Sequence, residues 1–315
     1  MTDIPTLIQR CPGTARPAIA LLLALSLLAA SSAIASGPDQ TNRRPNWMIT
    51  TEAEYGHVFR TDLKEGDGSF NLHEAGVGLS FGKMLPDLNG ILSFKLECGL
   101  LDFDLYANGN NLFNEAGLFD KVVETTAGLN LILNRDEWSY IGLLSAGTAC
   151  EDHASVEDSL RIQGVFGVMY RFSDQLQLGF GLFAGTRLED DVLVIPYISA
   201  EYKPTDRLTL AVRNGLFAEY VLEKDRTSLI FEGKYDSHVF RLDKTEPTPN
   251  GVVDYSRVPI KVGIRHKFSR NLAVTSSIGA VVWHEFEMTD DDGDEIGDTE
   301  AHPAAVFNLA VRFGL

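Results

Sequence analysis

The segment 289–300 carries the densest group of side chains that could bind a metal ion. Its acidic residues surround Gly293 and are Asp290, Asp291, Asp292, Asp294, Glu295 and Asp298. Carboxylate oxygens are the ligands that calcium prefers. The spacing does not match an EF-hand loop, because placing Gly293 at the invariant glycine leaves Met288 as the first ligand. We interpret the segment as a solvated acidic connection and predict no metal site.

A histidine and a serine two residues apart, His153 and Ser155, could form a nucleophile and its activating base. Several membrane-embedded lipid hydrolases carry such a pair on a strand that faces the bilayer. Here the pair lies in the polar stretch 151–159, which we interpret as a connection, and no asparagine follows Ser155. The remaining histidines show no metal-ligand spacing. We predict no catalytic residue and no cofactor, and keep a lipid-modifying enzyme as a third alternative.

The N-terminus has the features of a cleaved signal peptide. Arg10 and Arg16 precede an apolar run over 18–28, and Ala33-Ile34-Ala35 offers a small-x-small cleavage site. The run is too short for a stable membrane-spanning helix. We predict a signal peptide over 1–35, a periplasmic segment over 36–46 and one β domain over 47–315. The net charge of −17 argues against a nucleic-acid partner.

Hydrophobicity in the mature chain alternates with a period of two, which is typical of strands. Between residues 160 and 172, Leu160, Ile162 and Phe166 alternate with Arg161 and Gln163. Other segments repeat this pattern, including 176–182, 258–267 and 272–285. A helix would scatter these apolar residues, whereas a strand gathers them on one face.

Short polar turns alternate with longer connections, so the strands group into hairpins. The predicted pairs are 47–60/70–83, 91–103/121–133, 138–150/159–172, 176–188/192–203, 208–213/216–222, 227–242/254–268 and 272–287/301–315. They make about fourteen strands, and single-chain bacterial barrels have an even number. The fifth pair, turned by Asn214-Gly215, is short for a membrane crossing. If it were one bent strand, twelve would be the count.

A soluble β-sandwich alternates too, so further features must decide between water and lipid. Many of the strands are longer than those of globular proteins. Their polar faces mix glycine with charges of both signs, which suits a wet lumen. Aromatic residues gather at the short-turn ends, as in an interfacial girdle: Trp47, Phe81, Trp138, Tyr140, Tyr170, Phe172, Tyr202, Phe268 and Phe313. We predict an all-β, transmembrane, antiparallel up-and-down barrel.

The last strand carries a more specific signal. Phe307, Leu309, Val311, Phe313 and Leu315 alternate with small or polar residues up to the end of the sequence. This resembles the C-terminal strand through which bacterial outer-membrane barrels are passed to their insertion machinery, although the terminal residue there is usually aromatic. The stretch 208–242, with its Asn-Gly turn, is similar to an uncharacterised barrel family labelled as a domain of unknown function. The resemblance implies a porin-like or transporter-like barrel in the outer membrane and supplies no catalytic residues.

The favoured function is the passage of small solutes through the lumen. Its predicted lining is Glu52, Glu54, Lys95, Glu97, Glu124, Arg161, Arg171, Arg265 and Glu285. These charges could select solutes, or could form salt bridges that close the lumen. A non-conducting structural or adhesive barrel is therefore the alternative. The expected partners are outer-membrane lipids, the insertion machinery and small solutes.

Overall fold

The computed structural model describes residues 47–108, 113, 119–151, 154–244 and 248–314. The predicted signal peptide and the segment 36–46 lie outside the described residues. Within the described ranges, no helix is long and apolar enough to cross a bilayer.

Antiparallel strands account for most of the described chain, apart from one short 3-10 turn at Pro86–Leu88. The strands are β1 Trp47–Asp62, β2 Asp67–Leu85, β3 Gly90–Asn108, β4 Lys121–Arg135, β5 Trp138–Glu151, β6 Leu160–Arg171, β7 Leu176–Arg187, β8 Asp190–Thr205, β9 Leu208–Val212, β10 Gly215–Glu223, β11 Thr227–Lys234, β12 Asp236–Arg241, β13 Val252–Lys267, β14 Leu272–Thr289, β15 Glu295–Ala301 and β16 Ala304–Gly314.

The strands close into a ring, because β16 pairs with β1 and with β14, and β14 pairs with β13. Strands β11 and β12 both pair with β13, and β15 and β16 both pair with β14. Each of these two pairs is one interrupted barrel strand, so the barrel has fourteen strands. The predicted count of fourteen is confirmed, and the short β9–β10 hairpin is a separate pair of strands.

One predicted lumen residue was assigned to the wrong face. We expected strict alternation along β14, which would turn Glu285 inward. The pairing of β13 with β14 shifts between Arg257 and Pro259, so that Arg257 faces His284 while Pro259 faces Val281. His284 and Val281 are both completely buried in the barrel, although one position is even and the other odd. A β-bulge of this kind reverses the side-chain phase, and Glu285 therefore lies on the outer face.

The outer face is largely apolar. Phe166, Phe180, Val262 and Ile278 are each more than half exposed although they lie within strands. Most of the predicted aromatic girdle is likewise exposed, for example Trp47, Trp138, Phe172 and Phe268, but Phe313 is buried. A continuous band of exposed apolar side chains is typical of a barrel surrounded by lipid.

Introducing a charge on this face is expected to destabilise the barrel. Val262→Arg should lower the free energy of unfolding by about 2–4 kcal/mol if Val262 lies near the bilayer midplane. The matched control is Gln177→Arg, which adds the same charge on the inner face. Urea unfolding in lipid vesicles would measure both variants, and an equal loss in the two would contradict the assignment of faces.

Candidate functional site

Ion pairs across the lumen identify the inner face and its central charged cluster. The Arg257 guanidinium of β13 lies 2.5 Å from Glu74 Oε1 of β2 and 2.9 Å from Asp236 Oδ2 of β12. Strands β2 and β13 are not neighbours in the wall, so the Arg257–Glu74 pair spans the interior. Arg257 is only 5% exposed.

His238 of β12 extends this cluster to a third part of the wall. Its Nδ1 lies 3.2 Å from Glu124 Oε1 of β4, and its Nε2 lies 3.7 Å from Glu74 Oε1 and from Asp236 Oδ2. Four acidic and basic residues therefore surround one imidazole inside the barrel. The arrangement cross-braces β2, β4, β12 and β13.

Two glycines make room for the carboxylates. A Cβ on Gly56 would lie 2.8 Å from Glu74 Oε2, and one on Gly76 would lie 3.0 Å from Glu54 Oε1. Beside this cluster is a cavity of about 210 Å³ that is lined by Glu54, Lys234, Lys261 and Asn308 as well as by the cluster itself. The cavity is polar, bears charges of both signs, and has the volume of a few water molecules or a small solute.

Charged side chains continue along the inner wall from the cavity toward the short turns. Lys95 lies 2.5 Å from Glu97, and Arg265 lies 3.3 Å from Glu219. Lys95 and Glu97 are each 48% exposed, so this part of the lumen is open to solvent. The alternation of the strands places Glu52, Glu54, Lys95, Glu97, Glu124, Arg161, Arg171 and Arg265 on the inner face, as predicted.

Toward the long connections, a packed apolar plug fills the lumen. It comprises Val58, Leu63, Phe70, Leu72, Leu101, Phe103, Phe113, Phe119, Val122, Ala149, Phe240, Leu242, Val253, Tyr255, Val281, Phe286, Met288, Ala301, Ala304 and Val306. Phe286 lies at its centre, with ring centroids 5.1 Å from Phe70, 5.2 Å from Phe113 and 4.5 Å from Tyr255. Phe113 and Phe119 come from the β3–β4 connection, which therefore supplies part of the plug.

Buried polar contacts hold the long connections over this plug. Glu151 accepts hydrogen bonds from the backbone N–H groups of Asp120, at 3.1 Å, and Asp243, at 3.0 Å. Arg241, at the end of β12, donates to the carbonyl oxygens of Asp158 and Asn250 and forms an ion pair with Glu189. These contacts join the β3–β4, β5–β6, β7–β8 and β12–β13 connections.

The two candidate sites from the sequence have structural roles where they are described. Asp290 Oδ1 accepts hydrogen bonds from the N–H groups of Asp292, at 3.0 Å, and Asp294, at 2.8 Å. The connection is shorter than the predicted segment 289–300, because Glu295–Ala301 forms the strand β15, which was not predicted from the sequence. Ser155 Oγ accepts from the N–H of Asp158, and His153 lies outside the described residues. In the described part of the chain, no group of three or more potential ligands could hold a metal ion.

The residues at the centre of the lumen were not predicted from the sequence. Glu74, Asp236 and Arg257 were not assigned to it, and His238 was set aside as one of several dispersed histidines. The alternation of the strand could have indicated part of this cluster, since Asp236 and His238 are two residues apart and share one face of β12. Which distant charges they meet depends on the curvature and register of the whole ring.

A closed antiparallel ring with an apolar exterior and a charged interior defines a β-barrel of the membrane-spanning class. The chain belongs to the family described as "Domain of unknown function (DUF6268)", which matches residues 106–315. Among curated proteins, none matches the chain in sequence.

Several solved barrels have a related shape. The COG4313 outer membrane channel from Pseudomonas putida F1 is 11% identical, with a TM-score of 0.48 over 89% of this chain and 100% of that chain. The Pseudomonas putida toluene transporter TodX is 8% identical, with a TM-score of 0.46 over 86% of this chain and 90% of that one. The NanC porin is 5% identical, with a TM-score of 0.38 over 84% and 98%. Similarities this low assign no solute and no mechanism to this chain.

Proposed function

We propose that this protein is an outer-membrane channel or transporter for small solutes. The observation that carries the proposal is the solvent-exposed, charged inner wall that leads from the short turns to the central cavity. Charges of both signs inside a wet lumen can attract and orient polar solutes, since low-dielectric walls strengthen their field. In this proposal the short turns face the periplasm and the long connections face outward.

Export and insertion form part of the same proposal. A signal peptidase would remove residues 1–35, and the insertion machinery would recognise the C-terminal strand. The apolar exterior supports contact with membrane lipids. The proposal includes no enzymatic activity, because Ser155 Oγ accepts a hydrogen bond from the N–H of Asp158 in the β5–β6 connection and the charged groups of the central cluster are engaged in ion pairs.

Planar-bilayer recording tests passage directly. A channel requires the plug to open transiently, so purified wild-type protein should give brief, discrete conductance steps. The double variant Glu52→Gln/Glu54→Gln should shift the reversal potential in a salt gradient toward anion preference, because it removes two negative charges from the lumen. Asp291→Asn, which alters an exposed turn outside the lumen, is the control and should leave the reversal potential unchanged.

The plug supports the second candidate, a non-conducting barrel that serves structure or adhesion. Salt bridges and aromatic packing close the axis at the long-connection end, as expected for such a protein. If correctly folded protein inserts into planar bilayers many times without giving conductance steps, the result would favour this candidate over a channel.

A further inference from the structure

The wall of the barrel is interrupted between β8 and β12. Strand β9 pairs with β8 only from Ala200 to Thr205, and the β10–β11 pairing stops at Gly215 and Lys234. Beyond these points, residues 190–199 of β8 pair only with β7, and β12 pairs with β13 and, at one position, with β5. Within the described residues, no strand therefore lies between β8 and β12 at the long-connection end.

The opening lies at the depth of the membrane. The β9–β10 hairpin forms the border of the opening on the short-turn side. Its strands have five and nine residues and rise about 13 and 23 Å when tilted by about 40°, whereas the apolar band of such barrels is about 25 Å tall. At the long-connection end, the opening is bounded by the ion pair between Arg241 and Glu189. An unpaired strand edge at this depth is tolerated where it borders a water-filled cavity. The edge of β8 thus lies where the lumen meets the bilayer.

Both faces of β8 are apolar beside this opening. Val192, Val194 and Ile198 on the outer face are 63%, 58% and 71% exposed. On the inner face, Leu193 and Ile195 are 38% and 45% exposed, although they point into the barrel. A strand between lipid and an aqueous lumen would alternate apolar with polar residues. The run 192–198 instead suits a strand that meets apolar molecules on both sides.

The apolar inner face continues around the wall as one row of neighbouring side chains. Leu143 of β5 is paired with Val165 of β6, Val165 with Phe183 of β7, and Phe183 with Ile195 of β8. The row ends at the unpaired edge of β8. On the other side it becomes polar, because Leu143 is paired with Asn130 of β4. We call Leu143, Val165, Phe183 and Ile195 the inner apolar row.

We propose that small apolar molecules pass between the lumen and the outer leaflet of the bilayer through this opening, along the inner apolar row. The inference rests on the proposed function and names its substrate class and its route. The plug closes the axial route at the long-connection end, whereas the side route begins below the plug. Pro196 pairs with Leu182 of β7 but has no partner strand on its other side. Because proline lacks an N–H, it hinders the addition of another strand there.

Uptake of the neutral aromatic amine N-phenyl-1-naphthylamine by cells tests the route, because its fluorescence rises in apolar surroundings. A Gram-negative host producing the wild-type protein should take it up faster than the same host without the protein. Phe183→Glu should slow this protein-dependent uptake at least about fivefold, because an ionised carboxylate in an apolar passage is costly to desolvate. Gln177→Glu, on the same face of β7 near the short turns, is the matched control and should keep the wild-type rate.

The same variants are recorded in planar bilayers, and their heat-dependent migration in detergent gels confirms folding. Wild-type uptake with Phe183→Glu unaffected would overturn the side route. Conductance without protein-dependent uptake of the amine would also overturn it, while leaving the channel function intact. Absence of both activities would instead contradict the proposed function.

The opening could instead be occupied by a lipid acyl chain or by a second copy of this protein, and a separate measurement tests each case. Quenching of an Ile195→Trp variant by lipids brominated on their acyl chains, without protein-dependent uptake of the amine, would assign the opening to a resident lipid chain. A stable dimer cross-linked through β8 would assign it to a second copy of this chain. Either result would overturn the proposal.

Discussion

Arg257→Met should lower the free energy of unfolding by about 3–5 kcal/mol, because it removes a buried guanidinium and leaves two half-buried carboxylates without their partner. Glu74 and Asp236 are held within 2.9 Å of the guanidinium and lie on strands from different parts of the ring. Methionine keeps much of the side-chain volume, so the loss reports the missing charge and its hydrogen bonds. Urea unfolding in lipid vesicles measures the effect.

The matched control for Arg257→Met is Arg213→Gln. Arg213 also pairs with a glutamate, Glu201 at 2.8 Å, but its side chain is 66% exposed. An ion pair whose arginine is exposed to solvent in this way contributes about 0–1 kcal/mol. A loss at Arg257 no larger than the loss at Arg213 would contradict the view that the central cluster braces the barrel.

The double variant Phe113→Ala/Phe119→Ala should open the plug. Each truncation removes a buried aromatic ring, which costs about 3–5 kcal/mol in packed cores. Because both residues belong to the β3–β4 connection, the loss should fall mainly on its docking rather than on the strand ladder. We expect larger conductance steps in planar bilayers and faster proteolysis of this connection.

Phe180→Ala controls for this effect, because Phe180 is a phenylalanine on the lipid-facing side of β7 and is 54% exposed. It should leave the conductance of the lumen unchanged. An unaltered conductance in the double variant, with the barrel folded, would show that these two rings do not block the axis.

Much of the fold was predictable because alternation and turn residues are local signals. The hairpins, the count of fourteen and the short hairpin at Asn214-Gly215 follow from them. The face of Glu285 did not, because the bulge between Arg257 and Pro259 reverses the phase of the pattern within one strand. The alternation is interrupted there by three successive apolar residues, Val281-Val282-Trp283, but the sequence pattern does not show on which face the strand continues.

The plug and the opening depend on contacts between distant parts of the chain. Phe113 of the β3–β4 connection, Phe240 of β12 and Phe286 of β14 come together only when the whole barrel has folded. The opening does have a local signal in the sequence, because the run Val192-Leu193-Val194-Ile195 is apolar at every position. Such a run indicates a strand with apolar surroundings on both faces.

Sided labelling of one lumen cysteine tests most directly whether the lumen is open at the short turns and closed at the long connections. Glu54→Cys places a thiol beside the central cavity. A bulky, membrane-impermeant maleimide should label it only after the outer membrane is permeabilised, whereas Asp291→Cys in the exposed turn should be labelled in intact cells. The parent protein gives the background from the native cysteines. Equal labelling of Glu54→Cys in intact and permeabilised cells would contradict the closed outer end.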